Sequence, residues 1–312
     1  MNITVLGAGA MGSLFSGYLS RKNDVTVVDV SDDMVKAINS KGARIREKDG
    51  SVLICHPHAV KNSEGIGPQD LVIVFVKSMF TINALEGNRN LIGPDTYLMT
   101  LQNGAGHESK LLKFADRKHV IIGSTQHNSS VIEPGFVNHG GSGATSIGLL
   151  DGNSECLKPI AQTFTDCGID CHTENNVQKQ VWKKLFTNTA ASSLTAIYQV
   201  PLGFIHTDPE ANRIMRQLCR EAVEVANSLG LGFDLEEVIA DVDKVCKNAP
   251  NGYTSIYADI RDGRKSEVDT ISGSVVEAAH IQGIAVPYHE KVVRRIHEME
   301  NRSRRLFDAD RL

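Results

Sequence analysis

No stretch of the chain stays apolar for the roughly 20 residues that a bilayer crossing needs. The first residues carry neither a basic leader nor a small-residue cleavage site. A membrane span is therefore not expected, nor is a secretory signal. No block of basic residues occurs either. The 33 Lys and Arg stand against 37 Asp and Glu, for a formal net charge of -4, so nucleic acid is not an expected partner. Six cysteines, at positions 55, 156, 167, 171, 219 and 246, are too scattered over 312 residues to form a disulfide framework. The run from Cys167 through Cys171 to His172 invites a metal, but no second ligand pair lies at a zinc-type spacing. His56-Pro57-His58 reads as a strand edge. The expectation is reduced thiols, no metal and a cytoplasmic protein. Internal repeats and low-complexity segments are also missing.

What remains has the composition of a globular protein, 41% hydrophobic and 22% charged, long enough for two ordinary domains. The first half alternates strands and helices. Ile3 to Leu6 is a short β-branched run ending at a glycine, as a buried parallel strand would. Residues 10–21 place Met11, Leu14, Phe15, Tyr18 and Leu19 on one helical face. A second strand spans Val25 to Val28 and ends at Asp29. A helix follows, with Ser31 as N-cap and Gly42 as stop. The stretch ARIREKDGSVLICHPHAV reads as a hairpin turned at Asp49-Gly50. QDLVIVFVKS, TYLMTLQNGAG and HVIIGSTQH supply further strands. The alternation implies a mostly parallel sheet covered on both faces.

The opening strand runs into Gly7-Ala8-Gly9-Ala10-Met11-Gly12. Between a strand and a helix, such a loop cradles a pyrophosphate. Gly7 permits the tight turn, Gly9 lets the backbone approach the ligand, and Gly12 lets the helix pack on the strand. The phosphates would sit at the helix N-terminus, where free N–H groups and the helix dipole favour an anion. Gly7, Gly9, Ala10, Met11 and Gly12 are thus candidate cofactor-binding residues. Asp29, at the end of the second strand, would accept hydrogen bonds from the adenosine ribose and repel a 2′-phosphate. The residues after it are Val30, Ser31, Asp32 and Asp33, with no cation. The pattern favours NAD(H) over NADP(H). The competing role for Asp29 is to cap the next helix.

From about residue 176 the pattern becomes helical. NNVQKQVWKKLFTNTAASSLTAIYQVPL reads as one long helix ending before Pro201, with Val181, Leu185, Thr189 and Ser192 in helical register. DPEANRIMRQLCREAVEVANSLGLG is an amphipathic helix with an Asp cap and a glycine stop. DLEEVIADVDKVCKNAP is another. Two or three more follow, broken near Arg261 to Lys265 and at Pro287, and the charged end from Asn301 is expected to fray. The fold expected is α/β: a Rossmann dinucleotide-binding domain over residues 1–172 and an all-helical domain over 173–312, with the boundary lying within 165–178.

Five pieces, ITVLGAGAMG, VKS after the apolar strand, LQNGAG, VWKKLFTN…LTAI and YTSIYADIRDGRKSEVDTISG followed by GIAVP, resemble in order and separation the ketopantoate reductase (2-dehydropantoate 2-reductase) family. That family lies within the 6-phosphogluconate dehydrogenase-like superfamily. The resemblance covers nearly the whole chain. It implies substrate bound in the cleft between the two domains, hydride transfer from a nicotinamide to the ketone of a 2-oxo acid to give the D-2-hydroxy acid, and a homodimer. The family's lysine falls on Lys184, which by resemblance protonates the developing alkoxide, as an ammonium can. Taken alone, a lysine on an amphipathic helix is an ordinary solvated residue. The family's glutamate falls on Glu267, which would orient substrate or lysine. Without the resemblance Glu267 reads as an acid after a Ser266 cap. Asn103 matches an asparagine near the nicotinamide and the substrate carbonyl; on its own it reads as an Asn-Gly turn. Lys77 matches the cofactor-side lysine at the C-terminal end of the apolar strand. Asn188, one turn beyond Lys184, and Ser255 match substrate-binding positions.

The chain also departs from the pattern. Ser192-Ser193 stands where the ketopantoate enzymes have Asn-Pro, so the substrate-side position becomes Ser192. Gly252 stands where they have another asparagine, although Asn251 is adjacent. Val30 replaces the arginine that would meet a 2′-phosphate. These departures leave the reaction in place and open the substrate. Ketopantoate leads, and the alternative is an NAD-dependent D-2-hydroxyacid dehydrogenase acting on another branched or aromatic 2-oxo acid. A non-catalytic NAD(P)-binding regulator would be expected to have lost Lys184 or Glu267, and both are present.

Overall fold

A computed structural model describes the backbone of residues 1–309 and the side chains of residues 1–302. The chain divides into two compact units. The first holds Met1–Gln102 and His107–Gln180, the second Asn103–Gly106 and Val181 onward.

The strands of the first unit are β1 (Asn2–Leu6), β2 (Asp24–Val28), β3 (Ala43–Arg46), β4 (Val52–Cys55), β5 (His58–Val60), β6 (Leu71–Val74), β7 (Tyr97–Thr100), β8 (Val120–Thr125), β9 (Asn128–Glu133), β10 (Phe136–Gly141), β11 (Thr145–Leu149) and β12 (Cys171–Thr173). Its helices are α1 (Ala10–Leu19), α2 (Asp32–Lys41), α3 (Thr81–Gly87), α4 (Glu108–Leu111) and α5 (Lys158–Asp166). Eight strands form one sheet in the order β12-β11-β8-β7-β6-β1-β2-β5. From β5 to β8 every pairing is parallel. β11 then runs antiparallel to β8. β6 is buried at all four positions, as a strand covered on both faces must be. The core beneath it joins Ile3, Val5 and Ile73 to Leu14, Phe15 and Leu19 of α1, so the apolar face read from residues 10–21 is the face that packs.

The Asp49-Gly50 hairpin forms, with Arg46 opposite Val52 and Gly50 at φ 85. It does not join the main sheet. β3 and β4 belong with β10 and β9 to a second, four-stranded sheet, order β4-β3-β10-β9. Ile45 and Val137 turn their side chains into the same core as α1. His58 opens β5, an edge strand.

The second unit is helical: α6 (Val177–Thr187), α7 (Ser193–Tyr198), α8 (Leu202–Thr207), α9 (Pro209–Ser228), α10 (Leu235–Asn248), α11 (Ser255–Arg261), α12 (Ser272–Gln282) and α13 (Pro287–Ala309). The division between units falls inside α6. Asp208 and Asp234 cap α9 and α10, accepting from Ala211 N at 2.8 Å and Glu237 N at 2.9 Å. Met215, Leu218, Ala222 and Val225 of α9 bury the stripe that its periodicity shows. The single long helix expected from 176 to 200 is interrupted. Asn188–Ser192 is a π-helical turn between α6 and α7, so the run is one rod with a widened turn in it. α13 continues to Ala309, and the last of the residues expected to fray, 310–312, lie outside the described residues.

Candidate active site

In the first unit the candidate cofactor site is built from backbone. Gly7 sits at φ 97, where a Cβ would lie 2.8 Å from Val76 N. A Cβ on Gly12 would lie 1.8 Å from Gly7 O. Both positions admit only glycine: the first for the turn, the second for the contact of α1 with that turn. Gly9 is different. A Cβ there would meet no protein atom within 4 Å. Its side-chain direction faces open space at the N-terminus of α1, which is what a cradle for a phosphate requires. Ala10 and Met11 form the first turn of that helix, partly accessible.

Asp29 closes the loop from β2. Its Oδ2 accepts from Ala8 N at 2.6 Å and its Oδ1 from Ser31 N at 2.9 Å. The cap of α2 is Ser31, whose Oγ accepts from Met34 N at 3.3 Å. Asp29 is therefore not the helix cap, and its carboxylate stands over the glycine loop. Val30 beside it is 87% exposed. Lys77 precedes a short 3-10 turn at Ser78–Phe80, just past the C-terminal end of β6, the edge at which open α/β sheets take ligands. Residues of this shape and charge fit a dinucleotide: a glycine cradle, a helix N-terminus and a ribose acceptor.

In the second unit the candidate site is made of side chains. Lys184 lies on α6, partly accessible. Burial pushes its pKa down to about 8, and the Glu267 carboxylate works against that shift. Lys183, its neighbour, is exposed. Glu267 stands in the segment between α11 and α12, at the head of a tight turn. Its carbonyl accepts from Thr270 N and Ile271 N, both at 3.1 Å. Ser266 before it caps that turn through Val268 N at 3.3 Å and is itself held by Glu300, Oγ to Oε1 at 2.7 Å.

Asn103 belongs to the same unit through its own turn. Ala105 N donates to Thr270 O at 3.0 Å, and Thr270 Oγ1 donates to Asn103 O at 3.4 Å. Gly104, at φ 106, comes so close that a Cβ would lie 1.9 Å from Thr270 O. The turn carrying Glu267 and the LQNGAG segment are thus locked together by backbone. Lys184, Glu267 and Asn103 are brought into one unit, with Asn188 at the first position of the π-helical turn, one turn from Lys184. Ser192, at its last position, is buried; its carbonyl accepts from Thr195 Oγ1 at 2.8 Å and Thr254 Oγ1 at 3.4 Å. Ser255 opens α11 and is exposed, behind the Thr254 cap. A Cβ on Gly252 would lie 3.0 Å from Ala249 O.

The pattern reading missed the hydroxyls Thr189, Ser193 and Ser272, buried together under the π-helical turn. They carry no charge and sit at positions where a small polar residue reads as filler. The close approach of Gly104 to Thr270 was also missed; only the local Asn-Gly signal was visible.

The ketopantoate reductase PanE/ApbA model matches residues 3–152, and the model for that family's C-terminal domain matches residues 176–300. The chain belongs to the ketopantoate reductase family. It is an NAD(P)-dependent 2-oxo acid reductase of that family, with the family's fold: a parallel α/β sheet domain followed by a helical region. It is similar to the 2-dehydropantoate 2-reductase of Halobacterium salinarum, 30% identical over 92% of this chain and 95% of that one. Among solved structures it is similar to D-mandelate dehydrogenase with NADH and anilino(oxo)acetate, at 28% identity and TM-score 0.91, over 97% of this chain and 99% of the other. A ketopantoate reductase from Ralstonia eutropha matches at 25% identity and TM-score 0.89, over 97% and 100%.

Proposed function

We propose that this reductase converts a 2-oxo acid to the D-2-hydroxy acid with NADH, ketopantoate being the leading substrate. The observation that carries the reading is that Lys184, Glu267 and Asn103 fall in one unit, where burial draws the Lys184 pKa down to about 8 against the pull of Glu267. A group with a pKa near 8 is still largely protonated at neutral pH and gives up its proton more readily than a free lysine. When bound, the nicotinamide supplies the hydride that adds to the ketone carbon. Lys184 Nζ gives its proton to the ketone oxygen as negative charge develops there, and the ammonium stabilises that charge before the proton moves. Glu267 keeps Lys184 charged and oriented. Asn103, Asn188, Ser192 and Ser255 supply hydrogen bonds to the carboxylate and carbonyl of the substrate. Gly7, Gly9, Ala10, Met11 and Gly12 would receive the pyrophosphate, with Lys77 as a further cofactor-binding residue.

Asp29 supports NADH. Its carboxylate, fixed by Ala8 N and Ser31 N, would repel a 2′-phosphate, and no cation follows it before residue 36. The bound NADH of the D-mandelate dehydrogenase structures supports the same choice. The division of labour is residues 1–172 for the dinucleotide, with Asn103 also reaching the substrate, and 173–312 for the substrate, in a cytoplasmic homodimer.

A second reading keeps the chemistry and changes the substrate to another branched or aromatic 2-oxo acid. Two positions favour it. At Gly252 a side chain would sit tightly, since a Cβ would meet Ala249 O at 3.0 Å and Leu202 Cδ1 at 3.3 Å, and those neighbours would have to give by a few tenths of an ångström. Ser192 is shorter than the amide it replaces. The deciding experiment follows the absorbance of NADH or NADPH with ketopantoate, 2-oxoisovalerate, 2-oxoisocaproate and phenylglyoxylate. Fastest turnover of ketopantoate with NADH is expected. Preference for another acid selects the second reading, and turnover only with NADPH removes the Asp29 argument.

A further inference from the structure

Three hydroxyl groups meet beneath the π-helical turn. Ser272 Oγ lies 2.9 Å from Thr189 Oγ1 and 2.9 Å from Ser193 Oγ. All three side chains have 0% exposure. Each comes from a different piece of the second unit. Thr189 is in the π-helical turn, Ser193 opens α7, and Ser272 opens α12.

Their places in the chain give the cluster a consequence. The turn that begins at Glu267 ends at Ile271, and Ser272 is the next residue. The π-helical turn begins at Asn188, one turn beyond Lys184. Ser272 therefore fastens the segment carrying Glu267 to the rod carrying Lys184. A π-helical turn is a rare, widened form of helix, and it persists where surrounding contacts hold it. A buried hydroxyl must find a partner, and here each arm of the cluster satisfies another. Ser193 stands where the ketopantoate enzymes carry the proline of an Asn-Pro pair, and a proline offers no hydroxyl. One of the positions that depart from the pattern is thus used, Ser193 through its Oγ.

We propose that Ser272 is a positioning residue: through Thr189 and Ser193 it holds the π-helical turn and thereby sets the placement of Lys184 relative to Glu267. The proposal rests on Lys184 as the proton donor. Reactions that depend on a placed proton donor are sensitive to sub-ångström shifts, so the effect falls on kcat more than on substrate binding.

The test compares Ser272→Ala with the parent by two readouts. One is kcat and KM across pH. The other is the pH dependence of Lys184 acylation in the cofactor-free protein, followed by mass spectrometry. In the variant kcat falls about tenfold with KM little changed. The labelling midpoint of Lys184 rises from about 8 toward the ordinary lysine value of 10.5, because a loosened turn lets water reach the ammonium. A lower melting temperature with both readouts at parental values overturns the proposal and leaves the cluster a packing feature. Thr189→Val removes one hydroxyl at constant shape. It shifts both readouts less and in the same direction, and it decides the matter if Ser272→Ala does not fold; parental values there overturn the proposal equally. A parent that reduces no 2-oxo acid refutes the functional reading, while the labelling midpoint still judges whether Ser272 places Lys184.

Discussion

In the first unit the candidate site is a backbone; in the second it is a set of side chains. Gly7, Gly9 and Gly12 act by what they lack, and their spacing alone specifies a turn, an open approach and a helix contact. Lys184 and Glu267, in the proposed mechanism, act through charges that any protein surface carries. The role proposed for them depends on their surroundings and on which distant segment lies near them. A glycine loop is therefore legible locally, and a partly buried lysine is not. The comparison can be broken or sharpened by substitution, beginning with the backbone.

Gly12→Ala and Gly9→Ala make the largest contrast. The added Cβ at Gly12 strikes Gly7 O, and neither backbone can retreat without moving α1 off β1. A loss of about 3 kcal/mol or failure to fold is expected, read by thermal unfolding. Gly9→Ala meets no protein atom. It should leave the melting temperature unchanged and weaken NADH about tenfold or more, read by quenching of Trp182 or by NADH fluorescence, because the methyl occupies the approach of the pyrophosphate. Equal destabilisation by both would show that Gly9 serves the fold alone.

Lys184→Ala comes next. Turnover should fall by a factor of about 10² or more with NADH binding retained, as for loss of a general acid. The pH behaviour follows from the lowered pKa. Reduction requires the ammonium, so kcat should decline as pH rises through about 8. Stability runs the other way. The folded pKa lies below the 10.5 of the unfolded chain, so between about 8 and 10.5 the unfolded state binds more protons and stability rises with pH. Lys184→Met should accordingly melt higher than the parent at pH 7 while being inactive. A variant that melts lower would show that the ammonium is well solvated or well paired.

These substitutions separate what could be read in the chain from what could not. The strand-glycine-helix opening, the Ser31 cap and the α9 stripe were legible because each is a pattern within one element. The second sheet was not, because β3 pairs with β10, about 90 residues away, and local alternation says nothing of partners. The π-helical turn was hidden for a related reason. Val181, Leu185, Thr189 and Ser192 keep an apparent helical register across it, and the partner that its buried hydroxyl meets, Ser272 of α12, is 83 residues away. Lys184 and Glu267 were placed by resemblance, and no spacing within either segment would have paired them.

Cofactor choice offers a smaller effect. Asp29→Ser with Val30→Arg removes the repelling carboxylate and adds a cation at an exposed position. The ratio of kcat/KM for NADH over NADPH should fall at least about tenfold, or about 1.4 kcal/mol. Part of the loss will appear with NADH itself, since Asp29 Oδ2 also holds Ala8 N. An unchanged ratio would assign Asp29 to loop support alone.

The smallest effects compare one helix cap in each unit. Ser31 holds Met34 N at 3.3 Å from an exposed position, and Asp208 holds Ala211 N at 2.8 Å. Cap removal costs about 1 kcal/mol in general. The shorter bond to a carboxylate at the positive end of a 20-residue helix should exceed a longer bond to a hydroxyl oxygen. Asp208→Ala should therefore lower stability by about 1 to 2 kcal/mol and Ser31→Ala by about half as much. Their consequences for function should differ in the opposite sense. Ser31 N is bonded to Asp29 Oδ1, so fraying at Ser31 loosens the carboxylate over the glycine loop, and Ser31→Ala should weaken NADH slightly while Asp208→Ala leaves it unchanged. Equal NADH affinity in both variants, read by the same fluorescence titration, would mean that Asp29 is held by Ala8 N without help from the start of α2.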